Sequence, residues 1–363
     1  MQAGLDGVVV AETTLSEVDG AAGRLILRGS PVEAIAGREP FESLAARLWQ
    51  GLSPIGETPE GVRRALGTAR RQAFELLAPL FEPAKRLSAI EALRLGLAGL
   101  SDADSETPHY LVTGAIPVFL AATSRVKRGL APIAPDPDAG HAADFLRMLH
   151  GRTPEEEAAY ALDAYLATVC EHGMNASTFT ARVIASTQAG TIAAVVGALG
   201  ALKGPLHGGA PGPVLDMLDA IGTPERAADW IQAELDAGRR LMGFGHRIYR
   251  VRDPRADVLK SVVRRLQRGG SERLAFAEAV EREARAALAR HKPERPLDTN
   301  VEFYTALLLE AVGLDRELFT PVFAMGRVAG WTAHIFEQER TGRLMRPQST
   351  YVGPRPVDAT TRA

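Results

Sequence analysis

The sequence predicts a mainly α-helical protein that begins with a short β-hairpin. Apolar residues recur at helical spacing along most of the chain, as from Ile90 through Leu93 to Leu97. Helix-start signals precede several of these stretches. Runs typical of β-strands are confined to the N-terminal part of the chain, and they do not alternate with helices as in a parallel α/β sheet.

The predicted helix starts share two local patterns. Ser88 followed by Glu91 is the pattern of a capping box, in which two side chains satisfy the free N–H groups of a first helical turn. Thr-Pro-Glu places a capping Thr before a Pro at the first helical position, where a missing N–H matters least. This tripeptide begins at Thr58, Thr153 and Thr223. We expect a helix to begin after each capping residue.

Two short runs near the N-terminus predict the hairpin. VVVAETTL covers residues 8–15 and RLILRG covers residues 24–29. Asp19-Gly20 and Gly23 lie between them and favour a tight turn. Further along, the Pro- and Asp-rich residues 131–140 predict a loop.

Length and composition are those of a globular protein. The 363 residues suffice for two domains, with 46% hydrophobic and 24% charged residues. A net charge of −2 gives no basic surplus for nucleic acid. The sequence has no apolar stretch suited to span a bilayer and no signal peptide, so we expect a cytoplasmic protein without nucleic-acid or membrane partners. The single cysteine, Cys170, lies in an apolar run and predicts a buried thiol.

Three of the eight histidines stand in settings that suggest a function. His172 lies in CEHGMNAS, His207 in KGPLHGGAPG, and His246 in MGFGHRIYRVRDPR. Glycines flank His207 and His246, and glycine lets the backbone approach a ligand closely. We expect His207 on a loop entering a helix, whose dipole would keep the ring neutral and able to donate to an oxyanion. Ordinary loop, helix-end or packing roles are expected for His109, His141, His150, His291 and His334.

Other chemistries find little support in the sequence. No two of the three singled-out histidines have the spacing of metal ligands on a helix, so no metal is expected. A Gly-x-Ser-x-Gly nucleophile motif is absent, and GFGHRI lacks the lysine of a phosphate-binding loop.

Arginines form the second candidate group, because guanidinium groups suit bidentate recognition of carboxylates. Arg327 interrupts an apolar helix, so its charge needs an internal acid or a bound anion. Arg346 follows in RLMRPQS. A cluster after His246 suits either anion binding or a solvated basic face. Its members are Arg247, Arg250, Arg252 and Arg255.

Six segments, in order, resemble the citrate synthase family from about residue 4 to residue 353. They are VVVAETTLSEVDGAAGRLILRGSPVEAIA, EHGMNASTFTARVIAST, GPLHGGA, GFGHRIYRVRDPR, NVEFYTALLL and FTPVFAMGRVAGWTAHIFEQERTGRLMRPQSTYVG. The resemblance implies a two-domain helical fold and a homodimer. Residues 1–209 and 313–363 would form a large domain, and residues 210–312 a smaller mobile domain that closes around oxaloacetate and excludes water.

The resemblance also implies a role for each candidate residue. His207 would hydrogen-bond the thioester oxygen of an acyl-CoA and stabilise its enolate. His246 would hold and protonate the oxaloacetate carbonyl. His172, Arg255 and Arg327 would bind the oxaloacetate carboxylates.

Two arginines and the base complete the implied site. Arg346 would reach the oxaloacetate carboxylates of the partner subunit, and Arg250 would contact the CoA phosphates. No cofactor is implied, since the CoA ester is a substrate. The base is usually the Asp of Asn-Val-Asp, whereas this chain reads Asn300-Val301-Glu302. Glu302 then takes the base position by the NVEFYTALLL frame, and Asp298 is the alternative.

Three functions stay open at this point. The first is citrate synthesis from acetyl-CoA, oxaloacetate and water. The second is 2-methylcitrate synthesis from propionyl-CoA, since one methylene changes binding by only about 1–3 kcal/mol. Because Glu302 departs from the usual Asp, the third is a catalytically silent paralogue that binds CoA or oxaloacetate.

Overall fold

The computed structural model describes residues 3–5, 7–53, 58–208, 211–246, 248–267, 270–294 and 297–354. Within these ranges the chain is mainly helical, as predicted. The helices are α1 (Val32–Ile35), α2 (Phe41–Trp49), α3 (Pro59–Ala84), α4 (Ala89–Ala98), α5 (Pro108–Lys127), α6 (His141–His150), α7 (Glu156–Val169), α8 (Ala176–Ala185), α9 (Thr191–Leu202), α10 (Pro211–Ile221), α11 (Ala227–Asp236), α12 (Pro254–Leu266), α13 (Glu272–His291), α14 (Val301–Ala311) and α15 (Phe319–Thr341). Arg247 and the predicted domain boundary at residues 209 and 210 lie outside the described residues.

The N-terminal β-structure is confirmed, but its first strand was predicted too early. Strands β1 (Ser16–Asp19), β2 (Arg24–Leu27) and β3 (Ser30–Pro31) form one antiparallel sheet in that order. The Asp19 carboxylate accepts hydrogen bonds from the backbone of the next residues, Ala21 and Ala22, which closes the turn and sets the register. Residues 8–15 therefore precede the sheet, although their β-branched composition suggested a strand.

The predicted helix starts are correct in three of four places. Thr58 caps α3, and its hydroxyl accepts from the backbone N–H of Gly61 at 3.1 Å. Ser88 precedes α4, but its hydroxyl bonds to the Glu91 carboxylate at 2.8 Å, so the reciprocal capping box does not form. A 3₁₀ turn follows Thr223 and leads into α11. The start after Thr153 was wrong, since α7 begins at Glu156 after extended backbone.

Helix α15 lies at the centre of the core. Its residues from Pro321 to Ile335 are all buried, as expected of a helix that is packed on every side. The Trp49 indole of α2 donates to the carbonyl of Ala329 at 3.1 Å and to the hydroxyl of Thr332 at 2.8 Å. Helices α5, α7, α8 and α9 also pack against α15. A central helix, packed on all sides, therefore carries Arg327.

Helices α10 to α14 pack among themselves, through the pairs α12–α14, α11–α13 and α10–α14. They meet the remaining helices mainly where α12 and α14 contact α7. This packing is compatible with the predicted division into residues 1–209, 210–312 and 313–363, which stays a prediction. No helix in the described part of the chain has the length and hydropathy needed to cross a membrane.

The predicted loop at residues 131–140 is present and is held by a buried ion pair. Arg70 of α3 donates to the Asp144 carboxylate of α6 at 2.8 Å, and both side chains are fully buried. The same guanidinium donates to the carbonyls of Asp136 and Ala139 in the loop. One charged pair thus joins two helices and the loop between α5 and α6.

Arg70→Met is expected to lower the free energy of unfolding by about 3 kcal/mol, because it removes the fully buried one of the two arginine partners of the Asp144 carboxylate and leaves only Arg147. Urea unfolding followed by circular dichroism measures the change. Arg64→Met is the matched control, since Arg64 is exposed on the same helix. Equal stability of the two variants would contradict a structural role for the pair.

Candidate active site

The structure gathers six of the eight predicted site residues into one cluster, here named the cleft. Five of them come from the ends of different elements, where polar side chains can meet without breaking helices, and the sixth lies inside a helix. The six are His172 after α7, His207 after α9, His246 before α12, Arg255 in the first turn of α12, Glu302 in the first turn of α14, and Arg327 within α15.

The proton of the His246 ring is directed by the backbone. Nδ1 accepts hydrogen bonds from the N–H groups of Ile248 at 3.0 Å and Tyr249 at 3.1 Å, so the proton of a neutral ring lies on Nε2. Burial, and then the charge of Arg255, lower the pKa of His246 to about 4, against a raising effect of Asp253. Nε2 lies 3.4 Å from Nη2 of Arg255, and both are donors. An oxygen atom of a ligand can accept from both.

Arg255 is fixed by the buried carboxylate of Asp253. Its Nε and Nη2 donate to the two carboxylate oxygens at 3.0 and 2.9 Å. Asp253 also caps α12 by accepting from the backbone N–H of Arg255, and it accepts from the N–H of Val301 at 3.1 Å. Although burial raises the pKa of Asp253, the charge and hydrogen bonds of Arg255 outweigh it and hold that pKa below its ordinary value. The carboxylate therefore joins the first turns of α12 and α14.

His172, after α7, and Arg327, in α15, belong to the same cluster. Burial holds the pKa of His172 well below its ordinary value, and the charges of Arg255 and Arg327 lower it further. The His172 ring therefore stays neutral at physiological pH. Its Nε2 lies 3.1 Å from the hydroxyl of Tyr249, and its ring packs edge-on against His246 at 5.9 Å between centroids.

Arg327 is buried without an ion pair among the described residues. Its Nε donates to the carbonyl of Val169 at 2.6 Å, and its guanidinium lies 4.7 Å from the Phe323 ring centroid. Burial lowers the pKa of Arg327 to about 10, while Glu171 raises it. The sequence allowed either an internal acid or a bound anion as the partner of this charge. No acid among the described residues is bonded to Arg327, so a bound anion is the remaining partner.

Two glycines of α15 allow His172 and Arg327 to approach each other. A Cβ on Gly326 would lie 2.9 Å from the carbonyl oxygen of Leu166, and one on Gly330 would lie 2.4 Å from that of Cys170. Gly330 N–H donates to the same Cys170 carbonyl at 3.1 Å. Larger residues would push the segment after α7 away from α15. Cys170 itself is buried, as predicted.

His207 is held at the N-terminus of α8. Its Nε2 accepts from the backbone N–H of Ser177 at 3.3 Å and lies 2.8 Å from the Ser177 hydroxyl, which accepts from the Trp331 indole. The proton therefore lies on Nδ1. Burial, and then Arg327, lower the pKa of His207 to about 4. The sequence argument expected the helix after His207 to keep the ring neutral, but that helix begins at Pro211, and α8 supplies the N–H groups instead.

Glu302 stands at the start of α14 with an unusual pKa. Asn300 caps the helix and accepts from the Glu302 N–H at 3.0 Å. Burial raises the pKa of Glu302 to about 7, with Asp253 adding to the rise and Arg255 and Arg327 opposing it. In the described ranges its carboxylate has no hydrogen bond or ion pair. Its setting suits a base that works near neutral pH.

Asp298, the alternative base, is engaged elsewhere. Its carboxylate forms an ion pair with Arg285 of α13 at 2.8 Å and accepts from the backbone N–H of Thr299. These partners favour Glu302 as the base.

The loop of His246 is clamped to the segment before α14. Asn300 N–H donates to the carbonyl of Gly243 at 2.9 Å, and its side-chain amide donates to that of Gly245 at 2.7 Å. Gly245 N–H donates to the carbonyl of Asp298 at 2.8 Å. Gly243 and Gly245 have φ angles of 83° and 76°, which explains the glycines that flank His246.

Arg250 and Arg346 lie apart from the six clustered residues. Both side chains are exposed, and no hydrogen bond or ion pair within the described residues joins either of them to the cleft. Arg252 pairs with Glu33 at 3.1 Å, so it behaves as part of a solvated basic face. The arginine cluster after His246 therefore divides, with Arg255 turned inward.

Sequence reasoning missed several residues that hold this site. Asp253 could have been found, because Asp before Pro254 is a helix-capping pattern. Tyr249, Ser177 and Trp331 act through tertiary contacts that no local pattern reveals. Glu171 is buried beside His172 and accepts from the Ser16 hydroxyl, the Gly173 N–H and the ring of His334. His334 is fully buried, as expected of a packing histidine.

Comparison with known proteins identifies the class. Residues 4–348 match the model of the family described as citrate synthase, C-terminal domain. A citrate synthase of Haloferax volcanii is 35% identical over 99% of this chain and 98% of its own length. A 2-methylcitrate synthase of Mycobacterium tuberculosis is 36% identical over 96% of this chain and 90% of its own length.

Solved structures agree with these relatives. The citrate synthase of Thermotoga maritima superposes with a TM-score of 0.86 at 36% identity, over 99% of this chain and 97% of that one. A ternary complex of the Thermoplasma acidophilum citrate synthase with carboxymethyl coenzyme A and oxaloacetate superposes with a TM-score of 0.84 at 25% identity, over 97% and 96% of the two chains. The chain belongs to the citrate synthase family. It is an enzyme of the condensing transferase class.

Asp253→Asn is expected to lower the free energy of unfolding by about 2–3 kcal/mol, because it weakens charge-assisted hydrogen bonds in a buried pair. Asp257→Asn is the matched control on the same helix: its ion pair with Arg252 is exposed, so a change below about 1 kcal/mol is expected. Chemical unfolding measures both. An unchanged Asp253→Asn variant would show that the pair does not hold α12 and α14 together.

Proposed function

We propose that this enzyme condenses acetyl-CoA with oxaloacetate and water to give citrate and CoA. One observation carries the proposal: two histidines whose pKa is lowered to about 4 lie in one cluster with the Glu302 carboxylate, whose pKa is raised to about 7 and which has no partner among the described residues. Proton removal from a weak carbon acid needs a base and an oxyanion donor together. The ternary complex of the Thermoplasma relative, with oxaloacetate and a CoA analogue, supports the substrate classes.

Oxaloacetate is a dianion with a ketone, and the cleft offers a partner for each group. Arg327 has a buried charge without an ion pair, and Arg255 faces the same cleft, so their guanidinium groups would bind the two carboxylates. His172 would contribute a neutral donor. The Nε2–H of His246, beside Nη2 of Arg255, would donate to the ketone oxygen and polarise its carbon for attack.

The acyl-CoA would be activated by His207 and Glu302. Glu302 takes a proton from the methyl carbon of the thioester, and the electron pair moves to the carbonyl oxygen. The Nδ1–H of His207 stabilises that oxygen, an interaction worth about 10²–10³ in rate in comparable oxyanion sites. The enolate carbon then bonds to the ketone carbon, and His246 donates its proton to the new alkoxide. Water hydrolyses the citryl thioester to citrate and CoA.

Two acyl-CoA substrates, acetyl-CoA and propionyl-CoA, are candidates for this enzyme. Glu302 has one methylene more than the usual Asp, so the carboxylate reaches further into the cleft. The 2-methylcitrate synthase at 36% identity favours propionyl-CoA as the second candidate substrate. A silent paralogue finds less support, because a buried carboxylate with a pKa near 7 is the state that a base requires.

The proposed function also includes a homodimer and a closing movement of one part of the chain. We infer a homodimer in which Arg346, exposed and outside the cleft of its own chain, reaches the site of the partner subunit. Arg250 would contact the CoA phosphates from its exposed position. Residues 210–312 would close over oxaloacetate, and no cofactor would be needed besides the substrates. A cytoplasmic location stays a prediction.

Turnover with a panel of acyl-CoA esters tests the function. CoA release that requires oxaloacetate, with the highest kcat/KM for acetyl-CoA, is expected. Glu302→Gln should lower kcat by about 10²–10⁴, since it removes the general base.

Asp298→Asn is the matched control for Glu302→Gln and should keep its rate. Full activity of Glu302→Gln with loss in Asp298→Asn would reverse the assignment of the base. A strong preference for propionyl-CoA would favour the second function, and no release with any ester would favour the silent paralogue.

The pH profile should show one acid limb that belongs to Glu302. Because its pKa is raised to about 7, the base is protonated below that pH, and kcat/KM should rise about tenfold per pH unit before levelling above about pH 7. His207 and His246 have pKa values lowered to about 4, so they do not titrate in this window. A profile that is flat between about pH 6 and pH 8 would contradict the assignment.

A further inference from the structure

Tyr249 contacts three members of the cleft, although the proposed reaction gives it no role. Its hydroxyl lies 3.1 Å from Nε2 of His172, and its backbone N–H donates to Nδ1 of His246. Its ring packs against that of His246 at 4.8 Å between centroids and lies under the Arg255 guanidinium at 5.8 Å. Tyr249 is also buried, with 3% of its surface exposed.

We propose that Tyr249 is a positioning residue for oxaloacetate. Its hydroxyl donates to Nε2 of His172 and keeps the His172 proton on Nδ1, where it can be given to a substrate carboxylate. This inference rests on the proposed function of the cleft.

The direction of this hydrogen bond decides how His172 meets an anion. A neutral imidazole has one N–H and one lone pair. With the proton on Nε2, His172 would donate to Tyr249 and turn its lone pair towards a carboxylate, which repels it. With the proton on Nδ1, the ring donates to the carboxylate. A bound substrate therefore gains from the second arrangement.

The Tyr249 hydroxyl can act as the donor in this bond. Burial raises the pKa of Tyr249, so the hydroxyl keeps its proton. No other hydrogen-bond partner of this hydroxyl is found in the described ranges.

The same bond links two parts of the chain that the sequence assigns to different domains. His172 follows α7, whereas Tyr249 precedes α12. A second contact lies beside it, since Arg250 N–H donates to the carbonyl of Gly20 in the β1–β2 turn at 2.8 Å. A Cβ on Gly20 would lie 2.3 Å from the Ile248 carbonyl oxygen, so the turn fits closely against this loop. Tyr249 thus completes the His172 side of the site when the two parts meet.

Tyr249→Phe tests the proposal, because it removes the hydroxyl and keeps the ring between His246 and Arg255. The dissociation constant of oxaloacetate, by calorimetry, and its KM should both rise about tenfold, which corresponds to 1.4 kcal/mol. The kcat at saturating substrates and the KM for the acyl-CoA should stay unchanged. A purely structural role would not produce this separation of KM from kcat.

Tyr160→Phe is the matched control. The Tyr160 hydroxyl also makes one hydrogen bond, to the carbonyl of Gly37 at 2.9 Å, but it lies outside the cleft. This variant should bind oxaloacetate like the wild type. The thermal unfolding midpoints of both variants are measured first, and oxaloacetate binding is then measured well below those temperatures.

Two outcomes overturn the inference. Unchanged oxaloacetate binding by Tyr249→Phe shows that the hydroxyl does not position His172. A fall in kcat without weaker binding shows that Tyr249 acts in the chemical steps instead. Failure of the wild-type enzyme to bind oxaloacetate is a separate result, because it removes the proposed function before any variant is compared.

Discussion

The geometry of the cleft depends on the Asp253 carboxylate. Its two oxygens accept from the backbone N–H and the guanidinium of Arg255 and from the backbone N–H of Val301, which precedes Glu302. One buried carboxylate therefore holds both Arg255, the proposed oxaloacetate-binding arginine, and the helix start that carries Glu302. The charges of that pair are satisfied internally, whereas Arg327 has no ion pair among the described residues.

Backbone N–H groups decide which nitrogen carries the proton in His207 and in His246, the two histidines proposed to be catalytic. Two of them hold Nδ1 of His246, and the N–H of Ser177 holds Nε2 of His207. A backbone N–H cannot become an acceptor, so neither ring can reverse its tautomer without losing a partner. Burial lowers the pKa of both rings and keeps them neutral. The two protons are aimed by the fold rather than by other side chains.

Local sequence patterns predicted what depends on local chemistry. The helical period, the cap at Thr58 and the glycines around His246 reflect backbone preferences, and they appear as expected. Residues 8–15 have strand-forming composition but lack a partner strand, because the turn after Asp19 sets the pairing. Tyr249 and Ser177 escaped notice because their roles arise from contacts with residues distant in the chain.

The clamp between Asn300 and the glycines beside His246 bears on the order of events during turnover. It joins the segments of Glu302 and His246 by hydrogen bonds, whereas His207 and Arg327 are carried by α8, α9 and α15. In the proposed reaction and the predicted division of the chain, the base would meet the thioester donor only when the two parts come together. An acyl-CoA that arrived without its co-substrate would then find its base and its oxyanion donor apart, and its thioester would be spared.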